Sequence, residues 1–233
     1  MTQPMYVAPV PLDREKHAAL AIARLERPFA FAATVHFAPM AITEFAIAAH
    51  DLPILFAQDG QQIAPVALTG PTAGTNVFVS DGAWTGRYIP AFFRRYPFVS
   101  ATSQDGQEIV LVEPSWPGFV TEGGEPLFDT ERQPTDTLKQ ALQLVESFAN
   151  DMRATIAFTA ELKRLDLLRP IKVDLDDGQG KAASVDGVMV IDETRFGALP
   201  DAEHLFLRKS GYLVPIIAHL MSLANLRELS KGL

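Results

Sequence analysis

Not one of the 233 residues is a cysteine, which excludes disulfides, thiolate metal sites and a cysteine nucleophile together. Basic residues are scarce as well: 20 Lys and Arg face 28 Asp and Glu, for a formal charge of −8. Sequence-independent nucleic-acid binding needs cations that displace counterions from phosphate, so no nucleic-acid partner is expected, and an anionic membrane surface is disfavoured on the same ground. The longest apolar run, GYLVPIIAHLMSLANL at 211–226, has 16 residues and contains His219, Ser222 and Asn225. A spanning helix needs about 20 mostly apolar residues, so the run predicts a buried C-terminal helix and no membrane span. The amino-terminal MTQPMYVAPVPLDREKHAALAIARLERP carries no basic start, apolar core and small-residue cleavage site, and the expectation is a soluble, cytoplasmic protein.

Motifs that carry chemistry elsewhere are missing too. There is no HExxH, no G-x-S-x-G elbow, no G-x-x-x-x-G-K-[ST] loop and no G-x-G-x-x-G fingerprint. GQGKAAS at 178–184 has the wrong spacing for a phosphate loop. The acidic turn DLDDGQG fails as a calcium loop, because counting from Asp174 puts Gly178 at position five and Val185 at position twelve. No metal and no cofactor is expected.

What is present is an ordinary globular composition, 48% hydrophobic and 21% charged, which suits one domain or two intimate lobes. Strand-prone runs flank Asp59-Gly60 in 52–68 and Asp105-Gly106 in 97–113, and NVFV at 76–79 stops at Ser80-Asp81-Gly82. Such turns require positive φ and predict an antiparallel meander. In 39–51, Ile42, Phe45, Ala46 and Ala49 share a short helical face. The segment 114–133, rich in Pro and Gly, reads as a connection between a strand-rich 1–113 and a helix-rich 134–233. Leu138, Leu142, Val145, Ala149, Met152 and Ile156 define one face of a long helix that starts at Pro134-Thr135 and runs to about Leu168, with Pro170 as its stop. A hairpin over 170–192 with DDGQG at its turn, a short helix over 199–211 and the apolar C-terminal helix complete the chain. The fold class is α+β: an antiparallel β meander packed against a long amphipathic helix and a buried C-terminal helix.

Two groups of residues could carry chemistry. His36, Glu44 and His50 lie close in sequence, and Glu122, Glu125 and Asp129 fall in the Pro/Gly-rich connection. His36, Glu44, Glu122 and Glu125 are the candidate acid/base residues, each with a bland counterpart as a packed histidine or a solvated carboxylate. The second group is GRYIPAFFRRYPF at 86–98. It is either an exposed arginine/aromatic binding surface, or a buttressed turn in which Phe92, Phe93 and Phe98 face the core while Arg94 and Arg95 pair with acidic side chains.

The blocks EFAIAAHDLPILFAQDG, NVFVSDGAWTGRYIPAFFRRYPF, EGGEPLFD, VMVIDETRFGALPD and SGYLVPIIAHLMSL resemble the SapC family in order and spacing, over roughly residues 5–230. The family's Arg-Tyr-x-Pro and Arg-Arg-Tyr-Pro-Phe blocks fall on Arg87, Tyr88, Pro90 and Arg94–Phe98. The resemblance implies a soluble companion of a peptide-uptake or modification pathway, because such genes accompany TonB-dependent receptors, flavin-dependent tryptophan-halogenase-like proteins and cupin-like oxygenases. The leading expectation is a cytoplasmic accessory protein that binds a peptide or protein partner, a flavin-dependent halogenase-like or cupin-like enzyme among the candidates. Its ligand-facing residues would be Trp84, Arg87, Tyr88, Arg94, Arg95 and Tyr96. An enzyme acting on a peptide or small organic acid, and a surface-layer component, are the alternatives.

Overall fold

A computed structural model of the chain describes residues 5–60, 62–103, 105–176 and 179–230. Its central sheet has five strands, all antiparallel, in the spatial order Leu168–Asp176, Ala182–Ile191, Ile54–Asp59, Gln62–Leu68, Phe37–Pro39. Strands from the two ends of the sequence therefore meet in one sheet, where Val188 and Met189 pair with Ala57 and Phe56. The meander expected in the first half is divided. The hairpin around Gly60 belongs to the central sheet, whereas Phe98–Thr102 and Glu108–Val112, joined through Gly106, form a separate sheet with Val10–Pro11. The connection 114–133 is less irregular than its composition suggests, since Phe119–Val120 and Glu125–Pro126 both pair with Ala21–Ile22. The tip of the DDGQG turn, Asp177 and Gly178, lies outside the described residues.

The long helix, Asp136–Arg164, spans both sheets. Thr135 caps it by accepting the Leu138 N–H, as its sequence position predicts. It stops before the expected Leu168 without help from proline. Asp166 takes φ 51°, the Leu167 N–H returns to the Leu162 carbonyl and the Asp166 N–H to that of Lys163. This is a Schellman ending with an aspartate where glycine is usual, and it buries Leu162 and Leu167 together in the main core. Pro170 instead sits in the edge strand of the central sheet, where a missing N–H is tolerated.

The helix's first half buries Leu138, Val145 and Phe148, and its second half Thr155, Phe158, Thr159 and Leu162. The expected stripe holds as far as Val145 and then departs by one position, leaving Ile156 62% exposed. Leu138 and Val145 join a smaller core with Phe98, Val112, Leu127 and Phe128, while Phe158 and Leu162 join the main core beneath the central sheet. The C-terminal helix Leu213–Ser222 buries Pro215, Ile216, Ala218, His219 and Ser222. Its opposite face is exposed at Val214, Ile217 and Met221, so it is buried on one side only. Among the described residues, no helix is long and apolar enough to cross a membrane.

Candidate functional site

The arginine/aromatic block begins at a tight hairpin. Val79–Ser80 pairs with Ala83–Trp84, and the two linking residues, Asp81 and Gly82, have φ of 52° and 74°. Two positive φ angles match the right-handed twist of a two-residue hairpin. The hairpin delivers Trp84 into an aromatic cluster, stacked on Phe78 with centroids 5.5 Å apart and tilted on Phe93 at 5.4 Å. Residues Ala91–Arg94 then form one helical turn that buries Ala91 and Phe93, and Phe98, beyond the cis Tyr96–Pro97 peptide, enters the smaller core.

Glu44 fastens this block to the rest of the protein. It is only 6% exposed, and its Oε1 accepts the Tyr88 hydroxyl and the Ala91 N–H, both at 2.7 Å, while Oε2 accepts the Ala41 N–H at 3.0 Å. A buried carboxylate is tolerable only when its lone pairs are filled in this way. Burial, followed by the neighbouring Glu44 charge, raises the Tyr88 pKa and keeps that hydroxyl a donor. Arg94 closes the arrangement from outside, donating to the Tyr88 oxygen at 3.2 Å and to the Ile89 carbonyl at 2.9 Å.

Arg95 points inward. Its guanidinium carbon lies 4.5 Å from the centre of the Phe148 ring and 5.2 Å from that of Phe92, beside the Tyr6 hydroxyl. Desolvation by burial lowers its pKa, opposed by Tyr6 and Glu44. Tyr96 stacks on Phe31 at 4.1 Å and meets Tyr6 at 5.3 Å. The buttressed-turn reading is therefore correct for Phe93 and Phe98, while Phe92 is half-buried. It is wrong about the arginines: among the described residues neither Arg94 nor Arg95 makes an ion pair within 4 Å, because rings, a phenol and a carbonyl take the place of carboxylates.

Of the three arginines, Arg87 lines an open cleft. That cleft, about 770 Å³, is lined by His50, Asp51, Val77, Phe78, Arg87 and Glu228 among others. Asp51 Oδ2 accepts the backbone N–H groups of Arg87 and Tyr88, which fixes the start of the Arg87 side chain. Asp51 Oδ1 and Trp84 Nε1 are both buried without a hydrogen-bond partner. Gly86 separates them: a Cβ there would stand 2.7 Å from Asp51 Oδ2 and 2.8 Å from Trp84 Nε1, so the position admits glycine alone.

The candidate acid/base residues are placed apart. His36 is buried against Phe37, with Nδ1 unpartnered and its pKa lowered by burial. Glu44 is filled by Tyr88, Ala91 and Ala41. Glu122 and Glu125 are exposed, Glu125 accepting the Thr137 hydroxyl near the start of the long helix. No hydrogen bond or ion pair joins any two of these four among the described residues. The residues that do converge, Asp51, His50, Arg87 and Glu228, include two that sequence spacing could not link, since Glu228 is far along the chain and Asp51 precedes a strand without any motif around it.

The family model of SapC matches residues 12–229 of the chain, nearly its whole length and all of the block just described. The chain belongs to the SapC family. No curated protein and no solved structure is significantly similar to it. In this SapC-family protein, then, the Arg-Tyr-x-Pro segment divides into an exposed arginine over a cleft, Arg87, and a tyrosine held by a buried glutamate, Tyr88. The Arg-Arg-Tyr-Pro-Phe segment is a junction between two cores.

Proposed function

We propose that this SapC-family chain is a cytoplasmic accessory protein that binds a peptide or protein partner, and that the cleft beside Arg87 is where it does so. The observation behind the reading is that cleft: a rigid rim, one exposed arginine, carboxylates on Asp51 and Glu228, and apolar walls at Val77 and Phe78. Its volume falls within the roughly 300–1,000 Å³ of small-ligand sites, where a few placed polar groups set specificity. Of the six residues expected from sequence to face the ligand, Arg87 keeps that role in this reading, while Arg94 and Arg95 serve the fold. Partners suggested by the family resemblance, a halogenase-like or cupin-like enzyme or a receptor segment, would present an extended or terminal peptide to this cleft.

The test is capture of co-purifying proteins and small molecules on tagged full-length chain in its own host, native against Arg87→Ala. A stoichiometric partner held by the native chain and lost from the variant, at unchanged melting temperature, is expected. The same partners on both proteins would move the binding surface elsewhere.

A further inference from the structure

One edge of the central sheet is left open. Phe37–Pro39 pairs with Leu68, Ala67 and Val66 of the strand Gln62–Leu68, and Met40 donates its N–H to the Pro65 carbonyl. The chain then leaves the sheet, and the Ile42 N–H reaches Thr155 on the long helix. Along an antiparallel strand, successive residues direct their N–H and carbonyl groups to opposite sides. Leu68 donates toward Pro53 on one side, whereas the Pro65 carbonyl faces Met40 on the other. Ile63 is in phase with Pro65, so its N–H and carbonyl both point to the side that Phe37–Pro39 has vacated. Among the described residues no strand pairs with Ile63 there. A groove of about 340 Å³ runs between this open stretch and the second half of the long helix, lined by Ile63, Ala64, Met152, Ile156, Ala160 and Lys163 among others. Met152, Ile156, Ala160 and Lys163 follow one another at steps of four, four and three, one stripe of the helix with the lysine at its end. Ile156 is 62% exposed, and Lys163, also exposed, makes no ion pair within 4 Å among the described residues.

We infer that this groove takes an extended segment of a partner protein as a short added strand, its apolar side chains on Met152 and Ile156 and an acidic side chain at Lys163. Strand addition draws affinity from main-chain hydrogen bonds and specificity from contacts to alternate side chains. The pairing centres on Ile63, because Pro65 has no N–H to offer and its carbonyl is already taken by Met40. A helical segment, whose backbone groups are bonded internally, would leave the Ile63 N–H and carbonyl without partners. Terminal carboxylates are held in nests of backbone N–H groups, and the lining residues lie in a strand and within a helix, which form no nest. The charge that meets Lys163 is therefore a side chain on a segment passing through. The groove shares no lining residue with the cleft beside Arg87, so the inference stands apart from the reading of that cleft.

The experiment probes an array of random short peptides, acetylated and amidated at their ends, with the labelled full chain, and measures the strongest binders by calorimetry. Binders should carry apolar residues at alternate positions and one Asp or Glu, and exchanging that acid for Lys should weaken binding tenfold or more. N-methylating one alternate set of backbone nitrogens should weaken binding as much, and the other set should have little effect. Lys163→Glu should turn the preference toward a basic side chain and Ile156→Asp should abolish binding, both variants melting like the native chain. The Ile63 amide should gain protection from hydrogen exchange when peptide is bound. An array without binders, binders indifferent to Lys163→Glu and Ile156→Asp, or equal effects of the two N-methylated sets would overturn the inference. Binding that requires a free C-terminus would overturn the acidic side chain. If either variant fails to fold, the N-methylated peptides and the Ile63 amide, both read on the native chain, still decide the matter.

Discussion

Glu44 holds three donors from three different points of the chain, so its replacement should reach well beyond its own position. Glu44→Ala leaves the Ala41 and Ala91 N–H groups and the Tyr88 hydroxyl without their acceptor, and a loss of roughly 3 kcal/mol or more in urea unfolding is expected. Glu44→Gln, which keeps one acceptor oxygen, should recover part of it. Buried histidine adds a pH dependence. His219 Nε2 accepts the Ile191 N–H, Nδ1 has no partner, and burial, opposed by the Ile54 backbone, lowers its pKa from 6.5 to about 4. The unfolded chain therefore takes up a proton below pH 6.5 that the folded chain refuses until about pH 4, and stability falls across that window, by roughly 3 kcal/mol in all. Glu113 acts in the same direction at lower pH: its burial works upward on the pKa, but the donors Ser115, Ala8 and Val7 outweigh it and hold it below the ordinary carboxylate value. Chemical denaturation of His219→Gln between pH 7 and pH 4 should lack the histidine part of the slope. That His219 would be packed with one hydrogen bond was legible from an isolated histidine in an apolar run. Glu44 and Glu113 were not, because nothing local marks a carboxylate whose donors come from 40 or 100 residues away.

Among the elements, the long helix shows what periodicity can and cannot supply. The six apolar positions from Leu138 to Ile156 cover 18 residues in five steps, the 3.6-residue turn of a straight helix, so the stripe keeps to one side while the buried face moves around the helix as it passes from the smaller core to the main one. The buried positions there include Thr155 and Thr159, which a search for apolar residues passes over. Thr155 is placed by hydrogen bonds: its hydroxyl donates to the Asp151 carbonyl and accepts the Ile42 N–H. Thr155→Val keeps the shape and removes the acceptor, and should destabilise by about 1–2 kcal/mol. Phe158→Ala, in the main core, should lose about 3–5 kcal/mol, while Ile156→Ala, at an exposed position that an apolar pattern makes prominent, should change stability by less than about 0.5 kcal/mol. Thermal or urea unfolding of the three variants separates these magnitudes. The short hairpins and the caps were readable because Asp-Gly turns and a Thr N-cap act through their immediate neighbours. The Asp166 ending was not, since aspartate in a left-handed conformation leaves no mark in composition.

For the whole molecule, the division at 114–133 is a division of sequence and not of packing. The central sheet needs Ile54–Asp59 from one side of that connection and Ala182–Ile191 from the other, and the long helix reaches both cores. Separately expressed 1–113 and 134–233 should each remain unfolded by circular dichroism, and the intact chain should unfold in one transition. Sequence patterns gave the α+β class through local signals, whereas the order of strands is set by non-local pairing that no window of the chain contains. The same holds for the cleft, whose walls come from segments near 50, 75–87 and 225–228.

If Arg87 faces the partner while Arg94 and Arg95 serve the fold, melting temperature and partner capture measured together separate Arg87→Ala from Arg95→Ala. Arg95→Ala, which removes a guanidinium packed between Phe92 and Phe148, should lower stability by about 1–2 kcal/mol. Arg87→Ala should melt like the native chain and lose the partner. An Arg87→Ala variant that keeps its partner, or an Arg95→Ala variant that loses the partner at unchanged stability, would show that the two arginines do not divide the work in this way.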